Sequence, residues 1–359
     1  MLSKRHMITM EEEDRGAEFE RRMGLVLGLF IGDALAMPVH WYYDRQALYR
    51  DYGWVSEFQA PKEFHPDSIL YRSRYTALNE RGEILHEAKK YWGKKGAHYH
   101  AGLSAGENTL NLTLAQVLLQ QLVEEGTYDA DRYLETYLPF MLTPGRHRDV
   151  YIEEYHRGFF QNYARGKQPR RCGVDDNHIG GLVPVGVLVA ALHADLASVR
   201  AHVKEHIGLT HQNEGVLRAA DCLATMLWRV VHGDSLKSVL KEEASDFFSA
   251  RKSDLRLSRS DAEVLEREFS TACYIEKAFP ASLYLSWKYA DDFAAGLVSN
   301  TNLGGDNCHR GAVMGALLGA ANGVRSIPSR WIDGLRASGT LKSLLESAAC
   351  RTDRRIVSC

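Results

Sequence analysis

The chain has 359 residues, of which 45% are apolar, 25% charged and 10% aromatic, with 44 basic against 46 acidic side chains. Those fractions belong to a folded globular chain and exclude global disorder, a collagen-like repeat and a coiled coil. A formal charge of −2 excludes the basic footprint of a general nucleic-acid binder.

Residues 1–16 are polar and lack an apolar core, which predicts an N-terminal tail and no secretory signal. Residues 17–37 read as an apolar helix opened by a charged turn and ended near Pro38. Its most membrane-like run, 25–37, is interrupted by Asp33 and is shorter than the roughly 20 residues a bilayer needs, so no membrane span is expected. Residues 44–104 are rich in Tyr, Trp, His and breakers. A structureless loop of that length is improbable, so short helices are expected within it, covering either a ligand site or the core. Helical spacing then recurs at 110–125, 129–141, 182–196, 198–205, 213–232, 236–250, 261–278, 282–289, 291–298 and 309–321. The expectation is one all-α domain over 17–340, followed by a C-terminal helix and basic tail at 341–359. Six sparse cysteines, none in CxxC spacing, argue against a disulfide scaffold or zinc knuckle and suggest reduced thiols in a cytoplasmic setting.

Gly24, Gly28 and Gly32 recur every four residues, as do Gly311, Gly315, Gly319 and Gly323. Each glycine costs a helix about 1 kcal/mol against alanine. Four-residue spacing puts them on one face, where a neighbouring backbone approaches closely. The two ridges predict tight helix packing that brings the helix ends together.

Polar clusters lie beside these apolar helices: Gly32-Asp33 through His40-Trp41, Glu107 through Asn111, Asp175 through Gly181, Thr210 through Glu214, and Asn302 through Arg310. Most read as helix caps. The last is denser than a cap needs, with Asp306, Cys308 and His309 offering an acid, a thiol and an imidazole. His98-Tyr99-His100 reads as a solvated loop, His211 as a residue ordering its helix start, Trp41-Tyr42-Tyr43 as packing or base stacking, and Cys222 as core.

In this order the clusters resemble the ADP-ribosylglycohydrolase family. Gly32-Asp33-Ala34-Leu35-Ala36-Met37-Pro38 is similar to its GDALGxP opening, and Gly304-Gly305-Asp306-Asn307-Cys308-His309 with the following glycine helix to GGDTDTxAAIxGALxGA. Thr210-His211 resembles its TH pair and Ile327 through Trp331 its IPxxW. The resemblance implies an all-α orthogonal multi-helix bundle and cleavage of an N- or O-glycosidic bond on an ADP-ribose-like or ADP-ribosylated substrate.

The family binds two magnesium ions through TDDT, DxDT and a glutamate after the GDALGxP proline. Here those positions read Thr109-Leu110-Asn111-Leu112, Asp306-Asn307-Cys308-His309 and His40, so only Thr109 and Asp306 match ligands. Magnesium demands oxygen donors. The resemblance therefore implies a centre of His40, Asn111, Asp306, Cys308 and His309, with Asp33, Thr109, His178, Gly304 and Gly305 towards the substrate. Three readings stay open. One is a hydrolase of altered chemistry, with Cys308 activated as a thiolate by its helix N-terminus. In the second, one softer metal such as zinc is held by Asp306, Cys308, His309 and His40. The third is a non-catalytic, ligand-binding or structural relative, because Met37 through Tyr42 also resembles the J-crystallin branch.

Overall fold

The computed structural model describes residues 4–357, and side chains over 14–351; the first three residues, Ser358 and Cys359 lie outside the described residues. Sixteen helices follow in chain order. These are α1 (Lys4–Ala36), α2 (Arg45–Tyr52), α3 (Leu110–Glu125), α4 (Ala130–Leu142), α5 (Glu154–Ala164), α6 (Val183–Ala191), α7 (Leu196–Gly208) and α8 (Glu214–Val231). They continue with α9 (Leu236–Glu243), α10 (Ala250–Asp254), α11 (Asp261–Glu268), α12 (Ile275–Lys288), α13 (Phe293–Asn302), α14 (Asn307–Asn322), α15 (Ser329–Gly334) and α16 (Ser338–Val357). Among the described residues β pairing is confined to three isolated bridges. The fold is all-α, as expected.

The glycine ridges set its centre. α1 and α14 run antiparallel, with Gly24 facing Gly319 and Gly323, Gly28 facing Gly315, and Gly32 facing Gly311. A methyl group at Gly24, Gly28, Gly32, Gly311, Gly315 or Gly319 would collide with the opposing backbone carbonyl. The close approach brings the C-terminal end of α1, with Asp33 and His40, beside the N-terminal end of α14, with Asp306 and His309. Among the described residues one stretch, Asp14–Val39, is long and apolar enough to cross a membrane, and its most apolar 18 residues are wholly buried by the surrounding helices.

Several boundaries depart from the periodicity. α1 starts at Lys4 because its first turns are good helix formers despite their polarity. The apolar run after His178 stops at Ala191, and Asp195 caps a new helix by accepting from Ser198 N at 2.9 Å. The stretch expected as one helix over 261–278 breaks after Glu268, and α12 then runs unbroken through Pro280. That break places Thr271 O where it accepts from Asp306 N at 2.7 Å. Residues 44–104 hold α2 and two short 3-10 turns, as anticipated.

Candidate functional site

Asp306 is the N-cap of α14 and wholly buried. Gly304 and Gly305, both at positive φ, turn the chain into it. Gly305 N donates to Tyr42 O and Trp41 N to Gly305 O, each at 2.7 Å, so this turn is stitched to the segment after α1. A Cβ at Gly304 would strike Tyr42 O and one at Gly305 would strike Thr271 O. The two glycines, expected to face substrate, instead admit the chain's own backbone. Arg310, buried behind the turn, donates to Gly304 O at 2.9 Å and Asn300 Oδ1 at 2.7 Å.

Three imidazoles surround the Asp306 carboxylate. His309 Nδ1 lies 2.7 Å and His40 Nε2 3.0 Å from Oδ1, and His178 Nε2 lies 3.4 Å from Oδ2. His178 is fixed by backbone pairing with the segment before α12: Ile179 N donates to Cys273 O and Ile275 N to Asn177 O, both at 2.8 Å. Gly180 N donates to His178 Nδ1 at 2.9 Å, so in the neutral ring the proton sits on Nε2, facing the carboxylates. Glu153 completes the group, with Oε2 3.7 Å from His178 Nε2 and Oε1 4.0 Å from His309 Nε2. His178 Nε2 and Asp306 Oδ2 are buried without a hydrogen-bond partner, the signature of a place where a small polar group fits.

Two hydrogen-bonded chains leave this centre. In one, His40 Nδ1 meets His100 Nε2 and His100 Nδ1 meets Asp149 Oδ1, both at 2.7 Å. In the other, His309 Nε2 meets the Asn111 amide at 2.6 Å, Asn111 meets His156 Nε2 at 3.0 Å, and His156 Nδ1 meets Tyr137 OH at 2.7 Å. The second chain is consistent whichever way the amide is turned, so the proton state of His309 selects its orientation.

The two acids are held in opposite states. Burial is the chief force lifting Glu153 to about 8, beyond what the His309 charge removes. Burial also opposes the charge on Asp306, yet His309, its hydrogen bond and His40 outweigh it and hold that carboxyl well below its ordinary value. Burial likewise works against charge on His309, but Asp306 and Glu153 raise it to about 9. His178, dominated by burial, falls to about 4. For His40, burial outweighs the Asp306 contact and holds the ring well below its ordinary value.

His40, Asn111, Asp306, Cys308 and His309 therefore converge as expected, and His178 joins them. The role expected of Cys308 does not survive. Its thiol is fully buried among Ala36, Met37 and Leu103, with Sγ 3.6 Å from Asp33 O. Burial first, then Asp33, Asp306, Asp149 and Glu153, push it well above its ordinary value, the reverse of thiolate activation. Asp33 and Thr109 are not substrate-facing either. Asp33 is wholly buried and accepts from Thr109 Oγ1 at 2.7 Å, Thr109 N at 2.9 Å and Asn108 Nδ2 at 2.9 Å, which ties the end of α1 to the start of α3. Trp41 and Tyr42 pack inside, Trp41 stacking on His40 at 3.9 Å, whereas Tyr43 is half exposed. His98 and His100 are buried instead of solvated, because their rings bond Pro38 O and Asp149. Near His211 the helix cap is Asn213. Glu153, His100, Asp149 and His156 were missed; only the His98–His100 alternation gave any signal.

The family profile described as ADP-ribosylglycohydrolase matches residues 14–356. The chain belongs to the ADP-ribosylglycohydrolase family. Among its relatives, Crystallin J1A of Tripedalia cystophora is 23% identical over 333 residues, covering 87% of this chain and 91% of the crystallin. An uncharacterized protein of Archaeoglobus fulgidus is 24% identical over 332 residues, covering 90% and 94%. A solved structure titled "ADP-ribosylglycohydrolase-related protein complex" superposes with a TM-score of 0.62 at 22% identity, covering 93% of this chain and 98% of that one, and shares its fold.

Proposed function

We propose that this chain hydrolyses an N- or O-glycosidic bond of an ADP-ribose-like or ADP-ribosylated substrate with two carboxylates in place of the family's magnesium pair. The observation that carries the reading is the convergence of Glu153 and Asp306 on His178 Nε2, at 3.7 and 3.4 Å, where burial pushes the first acid up and the imidazoles hold the second low. Environments that separate two acids in this way assign the general acid and the base. Glu153 gives its proton to the leaving nitrogen or oxygen as the bond to the anomeric carbon breaks. Asp306 Oδ2 takes a proton from the attacking water, and His178 Nε2–H orients that water. Release of one proton from Asp306 and uptake of one by Glu153 restore the starting state. Half-exposed Tyr43 offers a ring for a nucleotide base.

Magnesium does not fit the residues present. The ligand positions offer the imidazoles of His40 and His309, the amide of Asn111 and the thiol of Cys308, while the Thr109 hydroxyl is given to Asp33. At those positions a hard cation needing six oxygens finds one carboxylate, already bracketed by imidazoles, and the neighbouring Glu153 is held protonated by burial. A zinc set with His178 and Cys273 is geometrically near. There, however, the His178 nitrogen facing the site is the one carrying its proton.

A second reading, a non-catalytic relative, draws on the similarity to Crystallin J1A and on a centre whose acids and imidazoles are all buried. The test is incubation with N- and O-linked ADP-ribosyl peptides in EDTA, reading free ADP-ribose by mass spectrometry. Turnover that survives EDTA and falls 10²–10⁴-fold in Glu153→Gln is expected, the usual contribution of general acid catalysis. No turnover, with melts unmoved by millimolar ADP-ribose, leaves the structural reading.

A further inference from the structure

We infer that the groove between the segment before α3, the segment before α5 and the start of α16 binds a phosphate ester that also carries hydroxyl groups, a sugar phosphate. The groove shares no residue with the group around Asp306 formed by His40, Glu153, His178 and His309, so it stands apart from the hydrolase reading.

The groove holds about 410 Å³, within the roughly 300–1,000 Å³ of small-molecule sites. Arg146, Arg148 and Arg336 line it against two acids, Glu107 and Asp149. Both acids are already engaged. Glu107 is ion-paired with Arg148 and accepts from Ser104 N at 2.6 Å. Asp149 is buried, and its oxygens accept from Leu110 N at 2.8 Å and Val150 N at 2.9 Å and meet His100 Nδ1 at 2.7 Å. Arg146 lies over the Phe140 ring at 5.6 Å, and among the described residues neither it nor Arg336 has a carboxylate partner. The groove therefore presents positive charge that the chain itself does not answer.

Two of its side chains also keep polar atoms buried and without a hydrogen-bond partner, Asn108 through Oδ1 and His147 through both ring nitrogens. The Asn108 amide is not free to turn. Its Nδ2 donates to Phe30 O at 2.8 Å and Asp33 Oδ2 at 2.9 Å, both acceptors, so the atom left over is the carbonyl oxygen, which can only accept. The His147 ring stacks on Phe140 at 6.2 Å, and burial, the leading cause, lowers its affinity for a second proton, leaving one nitrogen to donate and one to accept. Two unanswered guanidinium groups select an anion with several acceptor oxygens, as in phosphate. The acceptors on Asn108 and His147 call for hydroxyl donors on the same molecule. Inorganic phosphate answers the first demand and a free sugar the second; the ester of the two answers both. Ala337, just before α16, has no side-chain oxygen to cap that helix, so its first amides add to a site the arginines already define.

The test is isothermal titration calorimetry of the full chain with ribose 5-phosphate, inorganic phosphate and ribose at low salt. Ribose 5-phosphate is expected to bind one to one, about tenfold or more tighter than phosphate, with ribose silent. No binding at millimolar ribose 5-phosphate overturns the inference, and so does an affinity no higher than that of phosphate. Because the ester can also enter the Asp306 centre, Arg336→Ala locates it. That side chain is exposed, and its loss should weaken ribose 5-phosphate by about tenfold or more; an unchanged affinity overturns the inference. His147→Phe keeps a ring against Phe140 and removes both nitrogens, so the preference for ribose 5-phosphate over phosphate should shrink. An unchanged preference overturns the inference as well. If that variant does not fold, Arg336→Ala decides. Calorimetry reads binding and not turnover, so failure to hydrolyse ADP-ribosyl peptides is a separate result.

Discussion

Stability should peak in a narrow band near pH 6.5, because buried groups at the centre hold or refuse protons against their ordinary habit. Glu153 rises from 4.5 to about 8 and His309 from 6.5 to about 9, both fully buried. A raised value means that the folded chain keeps a proton the unfolded chain gives up. Their stabilisation is therefore complete below 4.5 and 6.5 respectively, and is lost as pH rises through 8 and 9. Between pH 6.5 and 8 both protons are held in the folded state alone. Each corresponds to about 1.4 kcal/mol per pH unit, so stability should fall by roughly 2–3 kcal/mol per unit. On the acid side the sign reverses. Burial depresses His65 and His178 to about 4 and His156 and His206 to about 3, so their contribution is present above 6.5 and lost as pH falls through those values. The assay is urea unfolding from pH 5 to 9 at constant ionic strength. Glu153→Gln, a neutral isostere, should halve the slope between pH 6.5 and 8. A wild-type profile flat to within about 1 kcal/mol across that interval would refute the assigned proton states.

The ridge makes a second prediction. Gly315→Ala would drive a methyl into Gly28 O, and the overpacking penalty of roughly 1–3 kcal/mol should exceed the helix-propensity gain of about 1 kcal/mol, lowering Tm by a few degrees. Gly16→Ala, with open space around its Cβ, should instead hold or raise Tm; equal effects at the two sites would remove the close-approach argument. The third concerns thiol reactivity. Exposed Cys350 should alkylate with iodoacetamide at native pH while Cys308 stays protected until the chain unfolds. Native labelling of Cys308 ahead of Cys350 would restore the nucleophile.

The fold was legible because its main signals are local and steric. A glycine every fourth residue has one cheap explanation, a backbone lying against it, and the two ridges named the central helix pair without any other information. Breaks were harder to see. Nothing apolar marks the end of α11 at Glu268; what stops it is a distant demand, the need for Thr271 O to meet Asp306 N. Likewise α6 ends because Asp195 caps the next helix more effectively than another turn would extend the first.

The site was half legible, and the division follows from how charge is settled. Residues beside motifs could be placed: His40, Asn111, Asp306 and His309 meet because α1 and α14 meet. Glu153 stands at the start of α5 like any acidic residue opening a helix, and only burial turns it into an acid of about 8. His100 and Asp149 look like loop polars until one contact after another is traced back to Asp306. Cys308 shows the converse error. Reasoning from its neighbours in sequence gave it the positive end of a helix, worth at most about 2 kcal/mol even when partly buried. In space the same thiol is wholly buried and faces the charges of Asp33, Asp306, Asp149 and Glu153 from three other parts of the chain as well as its own. A helix N-terminus favours an anion only where no carboxylate already occupies its field. Here Asp306 caps α14 and takes the field for itself, leaving the cysteine two residues on as a protonated, apolar wall of the centre.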